Sequence, residues 1–488
     1  MYDHIADFLS ELEDRGDLCR IAADVDPVFE IAEITSRICT KQGEAPALLF
    51  EKVKGHTMPV VTNLLGHRKR MGKALRGDHF DQVAERLSSL WLPDIPEDWV
   101  DTLKRVPKLS HLSGLSPRQI KTAICQQVVK MGSDVNLNEL PLLQSWPEET
   151  AASLHQCLVV TADAQTQKRY CTLHNVMRLD PRSLALSWTQ QDPLHQIYQQ
   201  YQSLNQQMPL AIVVGGDPVV HFAAQFPLPG LADAFVLAGF LGEKQVELVK
   251  CRSLNLLVLA HAEIIIEGYI DTQQEPTAEL SLGVSSGFYL AETSGYQLHT
   301  SAVTSRSNPV MVTRVAGPPP SEDLWYGRAN ERLMLPWIKQ YIPELQDLHL
   351  PAAGLCRNIV FASINKTYPM QARKVMQALW SLDPLRSAKW IVVVDSEMNV
   401  QDEQEIWYAL SSQAHPGRDV LFCEGPTHPE DHAAPIRGVG HKMGIDATRK
   451  FPEENHPRNW PNALKSTSAV KDLVTRRWNE YGLPGSRE

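Results

Sequence analysis

The stretch "PTAELSLGVSSGFY", residues 276–289, follows the apolar run "AEIIIEGYI" and carries one carboxylate, Glu279, among small and apolar neighbours. A positioned acid is the usual currency of proton transfer, and such a site wants a second polar group close by. Five residues on stands Val284, which can neither give a proton nor take one. Lys442, in "GHKMGIDAT", is a compact cation suited to holding a phosphate, although a lysine between turn glycines is also an ordinary surface residue. Tyr170 and Asn175 fall in "KRYCTLHNVMRLD", an alternating segment in which polar side chains can face a cavity or simply pack. The "GGDP" at 215–218 lacks the GK[ST] of a phosphate loop and the full GxGxxG of a dinucleotide turn, and reads as a tight turn.

The eight cysteines show no CxxC pair and no zinc spacing, the usage of reduced thiols in the cytoplasm. A net charge of −10 without a basic block argues against nucleic acid or an anionic membrane as partner. No apolar run reaches the length of a transmembrane helix, and the acidic N-terminus is unlike a signal peptide.

A chain of 488 residues predicts two or three domains. In the first, 1–115, Ile5, Phe8, Leu9 and Leu12 share a helical face that Gly16 ends. Asp26 and Pro27 read as cap and first turn of a second helix with Ile31, Ile34 and Ile38 inward. "PALLFEKVKGHTMPVVTNLLG" reads as two strands about Gly55. Residues 116–325 alternate as antiparallel strands, with helical insertions near 193–204 and 219–240, which predicts a closed or split β-barrel. From 326 to 488 the order is strand, helix, strand, the pattern of a parallel sheet. The last helix lines up Val470, Leu473, Val474, Trp478 and Tyr481 for docking on its own domain or on a second subunit. The fold class is α+β.

Seven segments in order resemble the UbiD family of carboxy-lyases, decarboxylases that use prenylated FMN. They are "LLFEKVKGHTMPVVTNLLG", "MPLAIVVGGDP", "LAGFLGEKQVELVKC", "AEIIIEGYI", "NIVFASINKTYPMQARKVMQALW", "IVVVDSEMNV" and "GHKMGIDATRKFPEENHPR". The resemblance covers nearly the whole chain. It implies an N-terminal α/β domain, a split-barrel domain for the flavin and a C-terminal α/β domain that mediates oligomers. It further implies an acid–arginine–acid network beside the flavin, and an Asn, a His and a Glu holding a manganese ion on the cofactor phosphate.

Counted on the family's motifs, the first acid is Glu279 and the second is replaced by Val284. With Trp188 as anchor, the arginine position is Asn175 and the metal asparagine position is Tyr170. The metal histidine position is Gln191, and the metal glutamate position, five before Gly239, is Ala234. A gapped alternative pairs Asn175 with the asparagine and Arg178 with the arginine, at the cost of a deletion inside a strand. His195 is a second stand-in for the histidine. Lys442 matches the phosphate-contacting lysine, and Gln190 and Pro227 are further cofactor-side matches. The resemblance thus predicts a homologue with a replaced site: a non-catalytic subunit that binds a flavin or acid ligand, or pairs with an active family member. The alternative is a decarboxylase of an aromatic or unsaturated acid, of the quinone-biosynthesis type, working through Glu279 and Tyr170. The expected assembly is a homo- or hetero-oligomer.

Overall fold

Burial of Ile5, Phe8, Leu9 and Leu12 fixes the first helix, Ile5–Asp14, and Gly16 at φ 73° ends it, as the spacing predicts. The computed structural model describes residues 2–40, 45–91, 114–227, 233–276, 278–462, 464 and 466–483. The second helix, Glu30–Thr40, begins later than the Asp26–Pro27 signal suggests. Phe29 takes a left-handed φ of 68°, which a helix cannot contain, and Asp26 instead accepts from the Val28 N–H at 2.9 Å in a local turn.

The strands Ala47–Val53 and Val60–Thr62 pair antiparallel across Gly55. Leu18–Val25 adds in parallel on one side, and Met311–Val312, from far along the chain, pairs in parallel with Val60 and Val61 on the other.

Six strands close the central barrel: Ile264–Ile270, Met208–Val214, Ser153–Ala162, Arg169–Asp180, Ser183–Leu186 and Tyr289–Ser305, the last pairing back to the first. All six neighbour pairs are antiparallel. Alternation along each strand sends Val159, Leu186, Ile212, Ile266 and Leu298 to one cluster and Leu158, Val160, Val213 and Ile265 to the other. The outer cluster meets the helices Pro218–Gln225 and Ala234–Leu241, which lie in the second predicted insertion, and the helix Pro193–Ser203 fills the first. The strand Ala278–Gly283 forms a hairpin with Tyr289–Ser305, so Glu279 sits on a strand opposite Ser294.

The helix Glu322–Tyr341 joins barrel to C-terminal sheet and packs into a core shared with the N-terminal helices. That sheet runs Leu345–His349, Ile359–Ile364, Trp390–Asp395, Val439–Ala447, Val420–Pro426. Its centre is parallel, as the strand–helix rhythm predicts, whereas both edge strands are antiparallel. The terminal helix, Ser468–Arg477, buries none of its residues against the described chain.

Candidate functional site

The strand Arg169–Asp180 must present the barrel's polar side chains, and its pleat divides them. Tyr170 packs with the barrel-interior cluster, where burial raises its phenol pKa. Asn175 points the other way, and its Oδ1 accepts from the Gln156 N–H at 2.9 Å. Gln156 lies at a bulge in the neighbouring strand with φ 52°, so Asn175 serves to hold an irregular backbone. Asn175 and Arg178, paired in the gapped reading, are an odd number of residues apart and face opposite sides.

The remaining ion positions carry no charged side chain. Ala234 is the buried first residue of its helix; the preceding Asp233 caps that helix and ion-pairs with Arg169. Gln191 and Gln190 are exposed in the turn before the helix Pro193–Ser203, and His195 lies on that helix, capped by Asp192. Tyr170, Gln191 and Ala234 offer neither an imidazole nor a carboxylate, so the ion of the family's Asn–His–Glu set does not fit these residues.

The family's two acid positions differ in exposure. Glu279 is exposed on its strand. Val284 is 4% exposed and opens a turn in which its N–H donates to Phe288 O at 3.1 Å and its carbonyl accepts from Gly287 N–H at 2.9 Å. What holds this turn is a residue the sequence did not single out, Glu149. Its carboxylate accepts from the N–H groups of Ser145 (2.6 Å), Trp146 (3.1 Å) and Gly283 (3.1 Å), with the buried His155 imidazole 3.4 Å away. Gly283 is required there, since a Cβ would lie 2.2 Å from the Trp146 ring.

Lys442 is not brought to the barrel. It is buried in the C-terminal sheet, donates to Arg386 O and lies over the Trp380 ring. Burial lowers its pKa. Pro227, by contrast, does line a cleft; the rest of its "FPLPG" turn, from Leu228, lies outside the described residues.

That cleft, of about 330 Å³, runs between the barrel and the C-terminal sheet and is the place where polar groups from distant segments meet. Arg357 Nη2 donates to Glu430 and, at 3.1 Å, to Ser285 Oγ, and Ser285 Oγ donates to Glu430 Oε2 at 2.9 Å. Ser285 directly follows Val284. Phe288, at the far side of the same turn, packs against His432 with ring centroids 3.9 Å apart and planes tilted by 41°. Burial pushes His428 down to about 4, and Arg357 adds to that effect. Burial works to raise the Glu430 pKa, but Arg357, His428 and the Ser285 hydroxyl hold it below the usual carboxylate range. The run "THPEDH" was the available signal: two histidines and two acids within six residues. Nothing in the sequence told that Arg357 and Ser285 meet it.

Behind Gln156 a second pocket, lined by His155, His221, Arg314, Glu322 and Tyr326, holds only about 30 Å³, room for a water and far below the ~300–1,000 Å³ of a ligand site. Arg314 donates to Asp323 at 3.0 Å and its guanidinium lies 3.7 Å over the Tyr326 ring.

The chain matches the models of the 3-octaprenyl-4-hydroxybenzoate carboxy-lyase N-terminal domain over residues 9–91, Rift-related domain over 118–319 and C-terminal domain over 324–447. It is 37% identical over 482 residues to an uncharacterized protein of Aquifex aeolicus, covering 99% of each chain. An uncharacterized protein of Archaeoglobus fulgidus is 34% identical, with 98% of each chain covered. Among solved structures it resembles the UbiD-class enzyme HmfF from Pelotomaculum thermopropionicum in complex with FMN, with TM-score 0.75, 26% identity, and 96% of this chain and 99% of that one covered. It shares its fold with the closed form of vanillic acid decarboxylase from Sedimentibacter hydroxybenzoicus, with TM-score 0.83, 23% identity and 99% of each chain covered.

Proposed function

Since the chain belongs to the UbiD family of carboxy-lyases, we propose that it keeps the decarboxylase scaffold as a ligand-binding subunit of an oligomer and does not run the family's flavin- and ion-dependent decarboxylation. One observation carries this reading. The positions that the resemblance assigns to ion and proton chemistry are Tyr170 in the barrel, Asn175 bonded to the bulge of the neighbouring strand, exposed Gln191, Ala234 at the start of a helix and buried Val284, while the retained acid Glu279 is exposed. Positioned proton transfer is worth ~10²–10⁴ in rate, and a lost charge-stabilising group costs on the order of 10²–10³. Their joint loss leaves too little of the family reaction to matter.

A second reading is favoured by the cleft itself. Arg357 and Glu430 form an arginine–carboxylate couple beside the turn that carries Val284, and an active decarboxylase of an aromatic or unsaturated acid would have to use them. For assembly, the exposed apolar face of the terminal helix suits a second copy of the chain.

The test is to purify the full chain from cells that make prenylated FMN. Flavin absorbance, manganese per chain and CO2 release from a panel of benzoic and acrylic acids are then measured. We expect no stoichiometric manganese and no turnover. One manganese and one flavin per chain would overturn the proposal.

A further inference from the structure

A cavity of about 790 Å³ opens between residues 412–418 and the loop 455–461, and it shares no lining residue with the barrel or with the cleft beside it. Its volume falls within the ~300–1,000 Å³ of small-molecule sites. The lining holds two arginines, Arg418 and Arg458, two histidines, His415 and His456, and the indole of Trp460, but no aspartate or glutamate. In a chain of net charge −10, a wall without one carboxylate is a local reversal of sign that favours an anion.

The carboxylates of this region lie behind the walls and tie them together. Asp419 accepts from Arg418 Nε at 2.7 Å and Nη2 at 2.8 Å, Lys450 Nζ lies 3.7 Å from Asp419 and 3.1 Å from Asp446, and Lys366 Nζ lies 3.6 Å from Asp446 and 2.7 Å from Glu454. All three carboxylates are buried. This alternation of charges runs from Arg418 in one wall to the residue before Asn455 in the other, so the opening is fixed before a ligand arrives. Arg418 engages Asp419 through Nε and Nη2, which leaves its Nη1. The exposed Arg458 forms no ion pair among the described residues.

The loop 455–461 also supplies a flat surface. His456 packs at 54° to the half-buried Trp460 with ring centroids 5.0 Å apart, and its Nδ1 is buried without a partner. A buried ring nitrogen left open costs free energy unless something meets it. Nucleic bases stack on aromatic faces, and guanidinium groups take phosphate oxygens, so an indole two residues from an arginine suits a ligand that carries both. A bare inorganic anion would fill only a small part of the space. We propose that this cavity binds a nucleoside phosphate, with Arg458 and Arg418 on the phosphate, Trp460 against the base, and His456 Nδ1 and Asn459 bonding its polar edge. The site goes beyond the reading above and stands whether or not the chain turns over an acid.

Titration calorimetry on the full chain with ADP and with inorganic pyrophosphate tests this. ADP is expected to bind roughly tenfold or more tightly than pyrophosphate, because only ADP reaches the indole. Arg458→Gln is expected to weaken ADP about tenfold, since a charge-assisted pair is removed, and to leave the unfolding temperature unchanged because that side chain is exposed. Trp460→Leu is expected to bring ADP down to the affinity of pyrophosphate. Should Trp460→Leu fail to fold, Trp460→Phe keeps a smaller ring and is expected to weaken ADP several-fold, and Arg458→Gln still decides. Pyrophosphate bound as tightly as ADP, an ADP affinity untouched by either substitution, or no heat from ADP at millimolar concentration would each overturn the proposal.

Discussion

At the scale of single residues, two carboxylates on or beside the same hairpin have opposite roles. Glu279 is exposed and its strand is held through its backbone, whereas Glu149 is 3% exposed and takes three backbone N–H groups. Removing Glu149 leaves those donors unmet beside a buried histidine, so Glu149→Ala is expected to lower the unfolding free energy by roughly 3 kcal/mol or more. Glu279→Ala is expected to stay within about 0.5 kcal/mol. Urea unfolding of both variants checks this, and comparable losses would mean that Glu279 has a structural load not visible in its surroundings. The sequence placed Glu279 by counting along a motif, but counting reports position and not exposure. Glu149, four residues before a strand in "WPEET", carries its meaning only through Gly283, 134 residues away.

At the scale of elements, these strands were legible as short β-branched apolar runs, because the barrel buries both of their faces, and "PLAIVV" and "AEIIIEGYI" appear as Met208–Val214 and Ile264–Ile270. What such runs do not reveal is the bulge at Gln156. There the ladder slips between Leu154 and Cys157, Gln156 goes to φ 52°, and its N–H turns to Asn175 Oδ1. Asn175 stands where the resemblance places the arginine, and in the structure its Oδ1 satisfies a donor that the ladder has released. Asn175→Leu is expected to cost about 1–3 kcal/mol by leaving that donor unmet. Asn175→Asp keeps the acceptor and is expected to cost less. Thermal and urea unfolding of the pair decide; an equal loss in both would assign the cost to packing and remove the capping role. The start of the second helix failed for a related reason, since the Asp26–Pro27 signal is satisfied by a turn, and Phe29 at φ 68° delays the helix to Glu30.

At the scale of the whole molecule, one apolar core runs from Ile5 through the barrel's outer face to Val393, and Met311–Val312 completes a sheet begun by residue 18. Such long-range closure is invisible to local pattern, because a two-residue strand has no period to read. The terminal helix stands outside this core. Val470, Leu473 and Tyr481 remain 47%, 44% and 42% exposed on the stripe that the sequence shows, so the sequence reading named the face while leaving its occupant open. Fully covering an aliphatic or aromatic side chain is worth about 1.5–3 kcal/mol, enough for a few such residues on two copies to hold a pair together. Because none of the helix residues is buried against its own chain, Val470→Glu with Leu473→Glu is expected to lower the mass seen by light scattering to that of one chain while the unfolding temperature of the isolated chain stays unchanged. The double substitution puts two charges where the partner's apolar surface would lie, and their desolvation is not compensated. An assembly of unchanged mass would place the subunit contact on another face, whereas a lowered mass accompanied by a collapsed unfolding temperature would show that the helix serves its own domain first.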